Sequence, residues 1–188
     1  MNIKNIQNNK GFTLIELSIS IFVLAIAIIG AYNAFTTMDI LTSNSTNRFV
    51  AVYLAQEGIE IIRNIRDTNW IEEEDWDNGL TECQDGCEAD YKTFGDTSTP
   101  LYPWSGEGNN LWTNDTSYAY FYPSDYTNCV ETQFKRKITI TPLSINGIYD
   151  VLKVRVEVFW EEKDNIFDLE LNDFENSITV EEYLYNWY

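Results

Sequence analysis

The sequence predicts an α+β protein in which a long N-terminal α-helix packs on a C-terminal antiparallel β-sheet. Three observations lead to this prediction: an apolar run that fills residues 12–38, a helical spacing of apolar residues between Phe49 and Arg66, and an apolar–polar alternation between Val151 and Trp160. The chain has 188 residues, which is enough for a membrane anchor and one modest soluble domain.

The apolar run is long enough to span a membrane. No residue from Leu17 to Met38 carries a formal charge, and the run exceeds the roughly 20 apolar residues that a bilayer core requires of a helix. Lys4 and Lys10 precede it, and basic residues on a short N-terminal side favour leaving that side in the cytoplasm. We therefore expect a single transmembrane helix in residues 12–38, with the N terminus inside and the rest of the chain outside.

One carboxylate, Glu16, stands at the mouth of this apolar helix, where an unpaired charge is costly. The sequence G-F-T-L-I-E from Gly11 to Glu16 lies between a short polar leader and the apolar run. It resembles the processing signal of type IV prepilins and type II secretion pseudopilins. The resemblance implies a leader in residues 1–11, which a membrane aspartyl peptidase removes by cutting between Gly11 and Phe12. The same enzyme then methylates the new N-terminal amine of Phe12.

The resemblance also implies a role for Glu16, which becomes the fifth residue of the processed chain. In this family that glutamate neutralises the N-terminal amine of a neighbouring subunit during assembly. The physical chemistry agrees, because a carboxylate and an ammonium group tolerate lipid better as a pair than singly. An ordinary secretory signal needs small residues after its apolar core, and A-Y-N-A-F-T-T supplies no clear cleavage site. A plain signal anchor explains neither Gly11 nor Glu16.

Residues 39–67 are expected to continue the helix as an amphipathic outer half. Its apolar stripe comprises Val52, Leu54, Ala55, Ile59, Ile61, Ile62 and Ile65. Its polar face comprises Gln56, Glu60, Arg63 and Asp67. Arg63 stands at helical spacings from which it can pair with both Glu60 and Asp67. The segment L-A-Q-E-G-I-E-I-I-R-N-I-R-D-T-N-W, from Leu54 to Trp70, resembles a helix segment of V-type minor pilins and I-type minor pseudopilins.

Residues 68–132 are predicted to be a variable, loop-rich region. Turn-forming residues recur every few positions, and short strands such as Tyr118–Tyr122 separate them. The many aromatic residues argue against disorder, which is usually poor in them. Loops of this kind carry specificity, so we expect any individual ligand contacts to lie here.

An acidic stretch in this region, Glu72–Gly79, raises the question of calcium. Asp75, Asp77 and Asn78 offer clustered oxygen atoms, and some related pseudopilins bind calcium in a loop. The EF-hand pattern is not met, because Gly79 stands where a third ligand should. A solvated acidic loop is the simpler interpretation, with calcium as the alternative. No other metal and no cofactor is predicted.

Three cysteines, Cys83, Cys87 and Cys129, are an odd number for a chain that faces an oxidising compartment. The spacing allows a small loop closed by Cys83 and Cys87 or a bridge from one of them to Cys129, and a disulfide is favoured over free thiols. The sequence does not choose between these pairings. A zinc site is disfavoured, because three cysteines without any histidine would need a further ligand from elsewhere.

Residues 133–188 are predicted to form the antiparallel sheet. The predicted strands are Phe134–Pro142, Val151–Trp160, Phe167–Leu171 and Ser177–Trp187. The residues that alternation places on the apolar face are Ile138, Ile140, Leu152, Val154, Val156, Val158 and Trp160. Those placed on the wet face are Thr139, Thr141, Lys153, Arg155 and Glu157. Asn146-Gly147 marks a turn, in a connection that we expect to be longer than a two-residue hairpin.

The charge of the chain restricts its partners. The formal net charge is −18, and such a surface repels nucleic acid, whose binding depends on Lys and Arg at the phosphates. No histidine, G-x-S-x-G motif or phosphate loop is present, so an anchored enzyme is disfavoured. The resemblance instead implies a minor pilin or pseudopilin, which is a structural subunit of a type IV pilus or type II secretion-like fibre.

The resemblance further implies partners and a location. The partners are other pilin subunits, a prepilin peptidase/methyltransferase, an assembly platform in the inner membrane and, before assembly, membrane lipid. The processed chain would leave the cytoplasmic membrane for an extracellular or periplasm-spanning fibre. The alternative is a membrane-anchored extracellular binding module that does not polymerise.

Overall fold

The computed structural model describes residues 11–91, 101–106, 108–114, 119–123, 127–145, 148–161 and 175–186. These residues form one helix, α1 (Leu14–Ile71), and six strands: β1 (Cys87–Glu88), β2 (Tyr102–Pro103), β3 (Asn110–Asn114), β4 (Cys129–Ile145), β5 (Ile148–Glu161) and β6 (Glu175–Tyr185). The chain divides into two compact units, Met1–Thr42 and Ser43–Tyr188. We call residues 14–42 the inner segment of α1 and residues 43–71 its outer segment.

The inner segment of α1 exposes apolar side chains on all sides. Leu14, Phe22 and Ile29 are 86%, 66% and 61% exposed, and an 18-residue window of the helix is apolar enough to cross a membrane with none of it buried in the protein. The Ser18 hydroxyl donates to the Leu14 carbonyl at 2.8 Å, and Ser20 donates to the Glu16 carbonyl at 2.7 Å. The hydroxyl groups are thus satisfied by their own helix, as an apolar surrounding requires.

The sheet belongs to the second unit, and all its strand pairs are antiparallel. Its order is β2-β1-β4-β5-β6, and β3 also pairs with β4. In the central pair Ile138 lies opposite Val156, and Ile140 lies opposite Val154. The predicted α+β class with an antiparallel sheet is confirmed.

The outer segment of α1 packs its apolar stripe on the inner face of this sheet. The core comprises Leu54, Ala55, Ile59, Ile61 and Ile62 from α1 and Ile138, Ile140, Leu152, Val154, Val156, Val158 and Trp160 from β4 and β5. Val52 and Ile65 are half-buried at the border of the stripe. Each fully buried aliphatic side chain contributes roughly 1.5–3 kcal/mol of transfer free energy, so this contact dominates the stability of the unit.

Gly58 marks the closest approach of the helix to the sheet. A Cβ atom at this position would lie 2.9 Å from Cγ1 of Val156 and 3.2 Å from Cδ of Arg136. Real Cβ atoms are essentially never found 2.9 Å from another heavy atom. The lack of a side chain at Gly58 therefore allows α1 to pack directly against β5. The glycine that costs helix stability locally is therefore required by packing.

Two details of the sheet differ from the sequence-based expectation. Ile145 pairs with Ile148, so the connection of β4 to β5 has two residues, and the expectation of a longer one is wrong. The ladder continues past the clear alternation, and Asn-Gly is the residue pair that two-residue hairpins prefer. The predicted strand Phe167–Leu171 lies outside the described residues. In the predicted strand Tyr118–Tyr122, Phe121 forms a single bridge to Trp112.

Candidate functional site

The helix begins at Leu14 with a cap supplied by Thr13. The Thr13 hydroxyl accepts a hydrogen bond from the Glu16 amide at 3.3 Å, and the Thr13 carbonyl accepts one from the Leu17 amide at 3.1 Å. Threonine followed three residues later by glutamate is the capping-box pattern, which satisfies amides that a helix end leaves unpaired. The segment from Phe12 to Glu16 therefore encodes its own helix start.

Glu16 lies in the first turn of α1, with its side chain exposed. A carboxylate at this end is favoured by the helix dipole, by about 0.3–1 kcal/mol in an exposed setting. Among the described residues, no cation lies within ion-pair distance of Glu16. Its charge is thus available to a group outside the described part of the chain.

Gly11 is not required by the fold. A Cβ atom built on it would meet no other atom within 4 Å. Neither packing nor close backbone approach among the described residues therefore explains a glycine at this position.

Together these features define a class: an α+β protein with a membrane-anchoring helix that begins in a capped, exposed and acidic first turn. Residues 6–32 match the family model described as the prokaryotic N-terminal methylation motif. The resemblance of this segment to the class III signal of type IV prepilins and pseudopilins is confirmed. The motif suggests a structural, non-enzymatic protein. No curated protein and no solved structure matches the chain.

The structure joins two of the three cysteines. Cys83 and Cys87 form a disulfide with their Cα atoms 5.4 Å apart, and both side chains are buried. The Cys83 carbonyl accepts a hydrogen bond from the Ile140 amide at 2.9 Å, which attaches the small loop to β4. Cys129 keeps its thiol, which donates to the Thr127 carbonyl at 3.7 Å. The small loop is one of the two pairings that the sequence left open.

The acidic segment Glu72–Gly79 folds into tight turns after α1. The Asn78 amide donates to the Asp75 carbonyl at 2.8 Å, and the Asn78 side-chain amide donates to Glu74. The Asn78 carbonyl accepts from Asn69 at 2.9 Å. In the part of the chain that the structure describes, no group of three or more histidine, cysteine, aspartate or glutamate residues could hold a metal ion. Calcium binding by this segment stays a prediction.

A buried cation, Arg136, was missed by the sequence reading. Its side chain is fully buried on the inner face of β4, in phase with the core residues of that strand. The guanidinium donates to the Leu54 carbonyl at 3.0 Å and to the Ala89 carbonyl, and lies 3.3 Å from a carboxylate oxygen of Glu57. The period-two pattern places residue 136 on the same face as Ile138 and Ile140, but the alternation does not indicate what a buried cation there would bind.

Buried carboxylates fasten the loop-rich region to the sheet. Glu88 accepts two hydrogen bonds from Asn109, one from its backbone amide and one from its side-chain amide, both at 2.7 Å. Asp90 accepts one from the Tyr122 amide at 2.7 Å. Burial raises the pKa of the Tyr122 hydroxyl above its usual range, so this tyrosine stays neutral. These groups have a structural role, because each forms hydrogen bonds with other residues of the fold.

A groove of about 1000 Å³ lies beside the end of α1 and the strand β6; we call it the helix-end groove. Its lining includes Arg63, Arg66, Trp70, Glu182 and Tyr183. Two hydrogen bonds, at 2.6 and 2.7 Å, join the Arg63 guanidinium to the Glu182 carboxylate and raise the pKa of Arg63. The Arg66 guanidinium lies 4.8 Å from the centre of the Trp70 ring.

Arg63 has one of the two ion pairs that the helical spacing suggested. It pairs with Glu60 at 2.5 Å, as predicted. Asp67 instead forms an ion pair with Arg66 at 2.7 Å, and the second ion pair of Arg63 is with Glu182 of β6. Helical spacing predicts which pairs can form, but the sheet that lies beside the helix decides which of them does.

Proposed function

We propose that this chain is a minor pilin or pseudopilin, a structural subunit that enters a type IV pilus or type II secretion-like fibre through its N-terminal helix. The observation that supports this is the methylation motif at residues 6–32, which runs into a helix with apolar side chains exposed all round. Such a surface needs lipid before assembly and other helices afterwards. Before assembly the chain spans the cytoplasmic membrane once, with its N terminus inside.

Processing is the first step. A prepilin peptidase/methyltransferase cuts between Gly11 and Phe12 and methylates the Phe12 amine. The cut leaves Phe12 directly before Thr13, the residue that caps α1. The new positive charge therefore stands at the start of a helix that has already formed, where an assembly platform in the membrane can present it to the fibre.

Glu16 acts in assembly. Its exposed carboxylate neutralises the Phe12 amine of a neighbouring subunit, so that two charges enter the apolar fibre interior as a pair. The pairing also sets the axial register of the incoming subunit. This role needs a carboxylate without an ion-pair partner in its own chain. Glu16 has no such partner among the described residues.

The test is the substitution Glu16→Ala in the full chain. We expect normal membrane insertion and leader cleavage but at least a 10-fold loss of the subunit from sheared fibres, because the neighbour's amine is left without a counter-charge. Asp39→Ala, which removes another exposed acid from the same helix, is the matched control and should assemble normally. Wild-type amounts of Glu16→Ala in fibres would contradict the proposal.

Gly11→Val separates processing from assembly. Because a side chain at Gly11 meets nothing within the described fold, the variant should fold and insert but keep its leader. Mass spectrometry of the N terminus reads the result directly, with methylated Phe12 expected only in the wild type. A wild-type chain that is processed yet never leaves the membrane fraction would favour the alternative, an anchored binding module.

A further inference from the structure

Within the described residues, the strand β6 forms a long edge of the sheet. It pairs with β5 over all eleven of its residues, from Glu175 opposite Glu161 to Tyr185 opposite Val151, without any shift of register. In the described part of the chain it is the last strand in the sheet order. Its sequence, E-N-S-I-T-V-E-E-Y-L-Y, contains no proline, glycine or lysine. Bulges, prolines and lysines are among the means by which proteins protect such edges, and inward-pointing charges are another. β6 has one inward-pointing charge, Glu182 opposite Val154, and its carboxylate is paired with Arg63 of α1.

The core is also incomplete at this edge. Ile178 and Val180 point to the inner face of the sheet and are only half-buried. Their partners on β5, Val158 and Val156, are fully buried. The apolar face therefore extends onto β6, and one more strand would bury the parts of Ile178 and Val180 that remain exposed.

The helix-end groove provides room for the side chains of such a strand. It opens beside Glu182 and Tyr183, near the C-terminal end of β6, and its volume of about 1000 Å³ exceeds that of several side chains. Trp70 and Ile71 supply apolar surface on the helix side, and Ile71 is 81% exposed. An edge, an unfinished apolar face and a groove thus adjoin one another.

Charge indicates what the strand should carry. The groove is lined by four acids, Asp67, Glu73, Glu74 and Glu182, and by two cations, Arg63 and Arg66. The whole chain has a formal net charge of −18, so a second copy would bring further negative charge to an acidic groove. A strand with Lys or Arg is the electrostatic complement.

We infer that β6 accepts an extended strand from a different fibre subunit, one that alternates apolar and polar residues and carries Lys or Arg near the helix-end groove. Backbone hydrogen bonds to β6 hold the strand, its inward side chains cover Ile178 and Val180, and its basic residues meet Glu73 and Glu74. The inference rests on the proposed function, because it takes the partner to be a fibre subunit.

The first test places a charge on the inner side of the edge. Ile178→Lys in the full chain should lower recovery in sheared fibres by at least 10-fold, since an inward charge opposes strand addition. Thr179→Lys adds the same charge to the outer face one residue away and should be recovered like the wild type. Thermal unfolding of both variants in detergent micelles, followed by tryptophan fluorescence, checks that they are folded.

Recovery of Glu16→Ala in fibres, compared with that of Ile178→Lys, distinguishes a failure of the strand site from a failure of the proposed function. Loss of Glu16→Ala from fibres with full recovery of Ile178→Lys would overturn the strand site and leave the proposed function standing. Absence of the wild type from fibres would overturn the proposed function and, with it, a fibre subunit as the occupant.

The second test needs no variant and therefore holds if Ile178→Lys fails to fold. In the processed wild-type chain in micelles, alternate β6 amides, those that do not point to β5, should exchange with deuterium rapidly. In fibres the same amides should exchange at least 10-fold more slowly, while β5 amides, flanked by β4 and β6, stay protected in both. Unchanged exchange of β6 would contradict strand addition. Self-association in micelles that Ile178→Lys abolishes would replace the different subunit with a second copy.

Discussion

The two segments of α1 contain the same kinds of apolar residue but place them in opposite environments. Ile29 in the inner segment is 61% exposed, whereas Ile62 in the outer segment is completely buried. The inner segment has no polar face and offers apolar surface on all sides, so it needs a surrounding that the described chain does not provide. The outer segment has a polar face, and its apolar stripe is covered by β4 and β5. Only the outer segment contributes to the folding of the second unit.

An apolar residue in α1 therefore has no fixed energetic value. Burial on the sheet makes an isoleucine a determinant of folding, whereas exposure to lipid or to other subunits makes it a determinant of anchoring and assembly. Substitutions of the same type in the two segments should separate these effects. All six tryptophans lie between residues 70 and 187, so tryptophan fluorescence reports on the second unit alone.

The largest effect is expected for Ile62→Ala. Removing a fully buried isoleucine side chain should lower the free energy of unfolding of the second unit by about 3 kcal/mol, because transfer and cavity terms add. Ile29→Ala is the matched change in the inner segment and should alter it by less than about 0.5 kcal/mol. Urea titration of the full chain in micelles measures both. Equal losses would break the distinction between the segments.

An intermediate effect is expected for Arg136→Met. The change removes the donor to the Leu54 and Ala89 carbonyls, and we expect a loss of about 2 kcal/mol in the same titration. Arg155→Met, on the outer face of the neighbouring strand, removes an exposed ion pair with Glu181 and should cost less than about 1 kcal/mol. If Arg136→Met were neutral, the polar tie between helix and sheet would carry no net stability.

The smallest effect is expected for Gly58→Ala. The added methyl group collides with Val156, and the cost of overpacking should exceed the gain in helix propensity by about 1 kcal/mol. Gly30→Ala meets nothing within 4 Å and should leave unfolding of the second unit unchanged. The pair is compared by urea titration, with the folded spectra as a control. Stabilisation by Gly58→Ala would show that α1 can withdraw from β5 at little cost.

Local patterns predicted most of the fold. The apolar run, the helical stripe and the alternation of β5 each repeat over many residues, so each identifies its element and its buried face. The processing signal could be recognised because the order of its residues, from Gly11 to Glu16, is itself the information.

The features that the sequence did not predict depend on contacts between distant parts of the chain. The burial of Arg136 was not predicted, because its partners, Leu54 and Ala89, come from a helix and a loop that the local sequence does not connect. The pairing of Arg63 with Glu182 joins residues far apart in the sequence. The same holds for the choice between cysteine pairings and for the length of β4, which continues through residues that no longer alternate.

The disulfide between Cys83 and Cys87 also indicates whether the second unit has reached an oxidising compartment. Disulfides form and persist in oxidising compartments and are rare in the cytosol. A chain held back in the cytoplasm would therefore present three thiols to an alkylating reagent after denaturation, and an exported chain would present one, at Cys129. The loop thus acts as an internal reporter of export, and it would do so whether or not the chain ever enters a fibre.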